Sequence, residues 1–226
     1  DAPVCNGYQH NDSFPGSHPL AVGPLGYNGS KAAMELISKA DVVLALGTRL
    51  NPFSTLPGYG IDYWPKKATI IQVDMNPDRI GLTKKVSVGI CGDAKQVAQQ
   101  ILDKLSSDAG NTGREERKNL IHKTKSAWLQ TLSGLDHEED DPGTVWNKEA
   151  RERDKDRMSP RQAWRAIQDA LPQDAIISSD IGNNCAIGNA YPTFEKPRKY
   201  LAPGLFGPCG YGLSLIHISE PTRPSI

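Results

Sequence analysis

Three apolar runs, at 41–47 (DVVLALG), 68–74 (ATIIQVD) and 86–91 (VSVGIC), restrict the possible folds of this chain more than any other feature. Each is rich in Val, Ile, Leu and Ala without strict alternation, so each reads as a strand of a parallel sheet, whose strands are covered on both faces. Parallel strands require long crossovers, and helical text fills the spaces around them. Ser30 can cap a helix that places Ala33, Leu36, Ile37 and Ala40 on one face. Asp93 can cap a second, with Val97, Ile101 and Leu105 aligned. Residues 1–105 are therefore expected to form a doubly wound parallel-sheet α/β domain.

Beyond residue 105 the text changes. Apolar residues thin out over 106–157, and an acidic run at 136–141 gives way to a mixed-charge run at 151–157. This stretch reads as a solvated interdomain connection, with one amphipathic helix over 120–132, because mixed-sign runs are usually exposed helix and loop. Ser159, Pro160 and Gln162 then supply an N-cap, a proline at the first helical position and a glutamine three residues after the cap. A helix over 160–171 and an apolar run at 175–177 open a second α/β domain, expected over 158–212 and truncated like the first.

The last residues read differently from both domains. Residues 213–223 (LSLIHISEPTR) can be encoded by a transposase sequencing adaptor read in frame. The tail 213–226 is therefore expected to be adaptor-derived rather than part of the fold, and His217 is given no chemical role. Asp1 stands where a start methionine would, and residues 1–5 resemble the inside of a strand, so the N-terminus also reads as cut.

Composition narrows the function classes. Lys plus Arg and Asp plus Glu both number 26, so no charge excess favours nucleic acid or an anionic membrane as partner. No apolar run approaches the roughly 20 residues of a membrane-spanning helix. Cys5, Cys91, Cys185 and Cys209 lie far apart with no C-x-x-C pair, which argues for four free thiols in a reducing cytoplasm. His10, His18, His122 and His137 have no metal-ligand spacing, and no nucleophile elbow is present, so no metal ligand or hydrolase centre is predicted.

Two backbone signals remain. The first is Gly26-Tyr27-Asn28-Gly29-Ser30 ahead of a helix, with Arg49 beyond one strand and Asp74 ending the next. At the carboxyl edge of a doubly wound sheet, Gly29, Ser30, Arg49 and Asp74 could hold the phosphate and ribose of a nucleotide. Without a G-x-G-x-x-G motif they could equally be a tight turn, an ion-paired arginine and an aspartate capping the turn at 76–78. The second signal is Asp180-Ile181-Gly182-Asn183-Asn184. Gly182 permits a sharp turn, and the side chains and amides that follow either donate to phosphate oxygens or form an Asn-capped turn.

Taken together, residues 9–15, 17–20, 23–27, 29–34, 40–43, 46–47, 62–66 and 92–95 resemble the central domain of the sulfoacetaldehyde acetyltransferase family. Residues 180–183, 194–198, 206–207 and 209–211 are similar to the opening of that family's diphosphate-binding domain, so the likeness covers nearly all of residues 1–212. The resemblance implies an enzyme using thiamine diphosphate and Mg²⁺ to convert sulfoacetaldehyde and phosphate into acetyl phosphate and sulfite, with the sulfonate as recognition handle and leaving group. It places Gly182, Asn183 and Asn184 against the cofactor diphosphate. The Gly207 carbonyl falls on the aminopyrimidine, and Cys209 where related enzymes carry a bulky apolar residue that keeps the cofactor bent. Pro208 departs from the asparagine expected there, and 184–186 depart from the usual residues after Asn183.

The resemblance implies further that the catalytic glutamate and the metal motif lie outside this sequence, that the isolated chain is an inactive fragment, and that the full-length parent is a homodimer or homotetramer. Phosphate recognition by His10 or His18 is an additional expectation, set against local hydrogen bonding of both. The competing identities are an acetolactate synthase-like carboligase or decarboxylase, or a nucleotide-binding module without catalysis.

Overall fold

The computed structural model describes residues 1–105, 112–136, 157–158, 160–203 and 207–219. Every ladder between named strands is parallel, as the unbroken apolar runs require. Strand β3 (Val42–Leu46) pairs with β4 (Thr69–Asp74), which pairs in turn with β5 (Val88–Cys91), in the order β3-β4-β5. Two shorter strands, β1 (Val4–Asn6) and β2 (Ala21–Pro24), form their own parallel pair rather than joining that sheet.

Both expected caps form. The Ser30 hydroxyl accepts from the Ala33 amide to open helix α1 (Lys31–Ile37), and Asp93 accepts from the Gln96 amide to open α2 (Ala94–Lys104). On α1 the residues Ala32, Ala33, Met34, Leu36 and Ile37 are buried, joined by Val22, Leu25 and Tyr63. Ala40 falls after the helix instead of on it. On α2 no residue is fully buried, and Leu105 is 55% exposed at its C-cap, so that helix lies loosely on the sheet.

The charged connection contributes to the core. Its described part is helix α3 (Arg114–Asp136), longer at both ends than the amphipathic pattern over 120–132. Ile121 on that helix is 2% exposed and packs against the α1 cluster, which a segment read as solvated does not announce. The charge runs over 137–141 and 151–156, and the capping Ser159, lie outside the described residues.

Buried Gln72 organises the carboxyl edge of the sheet. Its Nε2 donates to the Thr48 and Arg79 carbonyls at 3.0 and 3.2 Å, and its Oε1 accepts from the Gly81 amide at 2.9 Å. A polar side chain buried this far is satisfied on both ends, as burial demands. Gln72 thereby ties together the loops that follow β3 and β4.

The second module begins with α4 (Pro160–Ala170) and continues through β6 (Ile177–Ser178), α5 (Asn183–Ala190), β7 (Tyr200–Leu201) and α6 (Tyr211–Ser219). β6 and β7 pair in parallel. Helix α6 runs into the segment from 213 onward as far as Ser219. No helix among the described residues is long and apolar enough to cross a membrane.

Candidate functional site

Short strand β6 delivers the chain through buried Ser179 to a turn at Asp180 to Gly182. Gly182 has φ +92°, a conformation that favours glycine, and helix α5 starts immediately after it with no side-chain cap. Among the described residues the amides of Gly182 and Asn183 have no acceptor, and both residues face solvent. Nothing lies within 4 Å of where a Gly182 side chain would begin. An open helix N-terminus with unpaired N–H groups suits an anion.

The start of α6 differs in one decisive respect, because its amides are already occupied. Asp180 Oδ2 accepts from the Gly210 amide at 2.7 Å, while Oδ1 accepts from its own neighbour Ile181 at 2.9 Å. Backbone donation from Ile181 first, then from Gly210, Tyr211 and Gly212, holds the Asp180 carboxyl below the usual carboxylate range. Of these two helix starts, one is filled by a carboxylate from this chain and the other is open.

The same contact joins the two segments singled out in the second half of the sequence. Gly207 has φ +56° and sits so that a side chain there would stand 3.7 Å from the Ile181 side chain. Cys209 is exposed beside it, its thiol 4.0 Å from the Gly207 carbonyl oxygen. Gly182, Asn183, Gly207 and Cys209 therefore occupy one solvent-facing corner. The backbone of Asn184 lies in the first turn of α5. The open amides of Gly182 and Asn183 have the donor chemistry a diphosphate needs, so the residues present fit that group.

The residues picked out in the first domain fall into two pairs. The Gly29 amide donates to the Gly26 carbonyl at 2.8 Å and the Ser30 amide to the Pro24 carbonyl at 2.7 Å. With the Ser30 hydroxyl on Ala33, that turn uses its own donors internally. Arg49 and Asp74 lie at the carboxyl edges of neighbouring strands, where Leu46 is in register with Val73. The buried Asp74 carboxylate accepts from the Asn76 amide at 2.9 Å, forming the turn at 76–78. Tyr27 donates from its amide to the Phe53 carbonyl at 3.1 Å, which links the glycine turn to the loop after Arg49.

Both histidines of the first loop make local contacts, and the His18 carbonyl also accepts from Lys125 Nζ on α3 at 3.1 Å. His18 Nδ1 accepts from the Leu20 amide at 3.1 Å and its ring meets Phe14 edge-on at 5.0 Å. The His10 carbonyl accepts from Asn6 Nδ2 at 3.0 Å.

The loop's other polar residues do something sequence reasoning did not foresee. Asn11 Nδ2 reaches the carbonyls of Gly188, Asn189 and Pro192 at 3.4, 3.0 and 3.1 Å, at the C-terminal end of α5. Asp12 Oδ2 accepts from the amides of Lys199 and Tyr200 at 2.8 and 3.2 Å. Asn189, fully buried, accepts from the Gln9 amide at 2.8 Å and donates to the Tyr27 carbonyl at 3.0 Å. The Tyr8 hydroxyl lies 3.2 Å from the Cys185 thiol, which Gln9 Nε2 also approaches. Ser17 closes the seam at the surface on the Glu195 carboxylate, at 3.0 Å from its amide and 2.6 Å from its hydroxyl. The available signal was compositional. Five successive residues at 9–13 are polar in a short connection, and Asn189 follows the run Cys185 to Gly188 of small or apolar residues in its helix.

Comparison with known proteins bears on both modules. Residues 1–101 match the family model described as thiamine pyrophosphate enzyme, central domain. The chain is 80% identical over 216 residues to a Rhizobium meliloti (strain 1021) protein named "Probable sulfoacetaldehyde acetyltransferase", covering 96% of this chain and 36% of the relative. It is 78% identical over 216 residues to the sulfoacetaldehyde acetyltransferase of Roseovarius nubinhibens, with the same coverage. It is 70% identical over 229 residues to that of Rhodobacter capsulatus, covering 100% of this chain and 39% of the relative. Acetolactate synthase large subunits are similar at lower identity, 28% for one from Methanocaldococcus jannaschii. The chain thus spans between 36 and 39% of the length of these three acetyltransferase relatives. The parallel α/β first module and the family model that matches it agree, and the chain over 96% of its length is closely similar to proteins named sulfoacetaldehyde acetyltransferase.

Proposed function

We propose that this chain is part of an enzyme that converts sulfoacetaldehyde and phosphate into acetyl phosphate and sulfite with thiamine diphosphate and Mg²⁺. The observation that carries this is the 70–80% identity to proteins of that name through both modules, against 28% for a synthase of the related class. When bound, thiamine diphosphate supplies a nucleophilic carbon and an electron sink. The chain's own residues hold it. The Gly182 and Asn183 amides, with Asn184 behind them, take the diphosphate at the open start of α5. The Gly207 carbonyl would accept from the aminopyrimidine, and Cys209 would pack against the cofactor from the same corner. The Mg²⁺ ligands and the acid that activates the aminopyrimidine come from outside these residues. The parent enzyme is a cytoplasmic homodimer or homotetramer, and the four free cysteines of this chain accord with a reducing compartment.

By resemblance, Gly29, Ser30, Arg49 and Asp74 would fall where acetolactate synthase relatives hold a flavin dinucleotide. The inward use of the turn's donors supports a site without a required nucleotide here. The experiment is a sulfite-release assay on the full-length protein. Release is expected only when thiamine diphosphate and phosphate are both supplied, and it should fall at least about tenfold in Gly182→Val, which puts a branched side chain at a glycine-type φ facing the diphosphate. Sulfite release that ignores the omission of thiamine diphosphate contradicts the proposal.

A further inference from the structure

Two adjacent residues of the first module, Asn11 and Asp12, grip the two elements of the second module that border the cofactor corner. Asn11 caps the C-terminal end of α5, where helix carbonyls lack internal partners, by reaching those of Gly188 and Asn189 and, just past the helix, that of Pro192. The opposite end of that eight-residue helix carries the open amides of Gly182 and Asn183. Asp12 takes the amides of Lys199 and Tyr200 at the start of β7, and β7 leads in sequence to the Gly207 to Gly210 segment. Asn11 and Asp12 are 6 and 9% exposed, and neither touches the corner itself. Asn189 completes the grip from the other side, bridging the Gln9 amide and the Tyr27 carbonyl while fully buried.

A helix whose far end is held by buried hydrogen bonds keeps its near end in place, since interiors are packed too tightly to absorb a shift locally. We infer that Asn11 and Asp12 are positioning residues for the cofactor diphosphate, so that the first module sets the geometry of a corner whose described residues, Gly182, Asn183, Gly207 and Cys209, all lie in the second. This rests on the thiamine diphosphate reading of that corner. It also accounts for the five consecutive polar residues at 9–13, of which Gln9, Asn11 and Asp12 reach the second module.

The test titrates thiamine diphosphate with Mg²⁺ into the full-length protein, following tryptophan fluorescence, for the parent sequence and for Asn11→Asp, Asp12→Ala and Asp12→Asn. Asn11→Asp keeps the shape but sets an acceptor against three carbonyls. Asp12→Ala strands two buried amides, whereas Asp12→Asn retains an acceptor oxygen. The expected result is a dissociation constant raised about tenfold or more in the first two, with Asp12→Asn within about threefold of the parent. Hydrogen exchange at the Lys199 and Tyr200 amides, read in the same proteins without cofactor, should accelerate in Asp12→Ala and not in Asp12→Asn. If Asn11→Asp does not fold, Asn11→Ala and Asp12→Ala decide the matter. Parent-like affinity in both disruptive variants overturns the inference alone. Failure of the parent protein to bind thiamine diphosphate overturns the underlying reading, and the inference with it.

Discussion

At the scale of single residues, Gly26 is under the tightest steric constraint of the described glycines. Its φ of +96° is unfavourable for any side chain, and a Cβ there would stand 1.9 Å from the Phe53 carbonyl oxygen. Gly26→Ala should therefore cost at least about 2 kcal/mol, through both strain and displacement of the loop after Arg49, measurable as a lower urea midpoint. Asp180 makes a different kind of prediction. Its folded-state carboxyl is held below the ordinary value near 4 by amides that exist only in the folded chain. A depressed carboxylate contributes stability above its unfolded value and loses it as pH falls through the folded one. Asp180→Ala should thus unfold more readily than the parent at pH 7, and the gap should close below about pH 4. A gap that persists unchanged at pH 2 to 3 contradicts the carboxylate's role. Individual caps such as Ser30 and Asp93 were legible in the sequence because capping is local. Asp180 was recognisable as part of a turn, but its grip on Gly210, thirty residues away, was not.

Elements tell the same story at longer range. The cores of β3, β4 and β5 could be read directly, since a buried parallel strand writes its burial into consecutive apolar residues. Helix α3 could not, because a long polar helix that buries a single isoleucine carries almost no periodic signal. Ile121→Ala should nonetheless cost about 2–4 kcal/mol in urea unfolding, as expected for a buried aliphatic residue touching α1. An unchanged midpoint would mean that α3 does not pack on α1 in solution. The seam from the loop at 8–17 to α5 and β7 joins residues about 180 positions apart, and no periodicity or motif encodes such pairing. The two modules of this chain are held together mainly by side chains reaching backbone groups rather than by an apolar patch.

At the scale of the whole molecule, the conspicuous feature among the described residues is an exposed apolar sheet face. Val42, Leu44 and Leu46 alternate along β3 and are 56, 44 and 40% exposed, while Ala45 between them is buried. Val88 on β5 adds to the exposed apolar surface at 45%. Parallel sheets normally carry helices on both faces, so this chain by itself should bind the dye ANS and self-associate, and Val42→Thr with Leu44→Thr should reduce both. A monomeric chain with no dye enhancement contradicts that expectation. The fold class was legible because strand and helix periods alternate throughout. The proposed chemistry was legible only through resemblance, since the groups proposed to carry it are backbone amides at Gly182 and Asn183 and a carbonyl at Gly207, which any glycine turn also possesses. The central claim is therefore tested most directly by product analysis. The full-length protein, given equal sulfoacetaldehyde and pyruvate with phosphate, thiamine diphosphate and Mg²⁺, would be followed by phosphorus NMR alongside sulfite determination. Acetyl phosphate and sulfite appearing in equal amounts, with pyruvate untouched, is the predicted result; acetolactate formed from pyruvate, with no sulfite released, would contradict it.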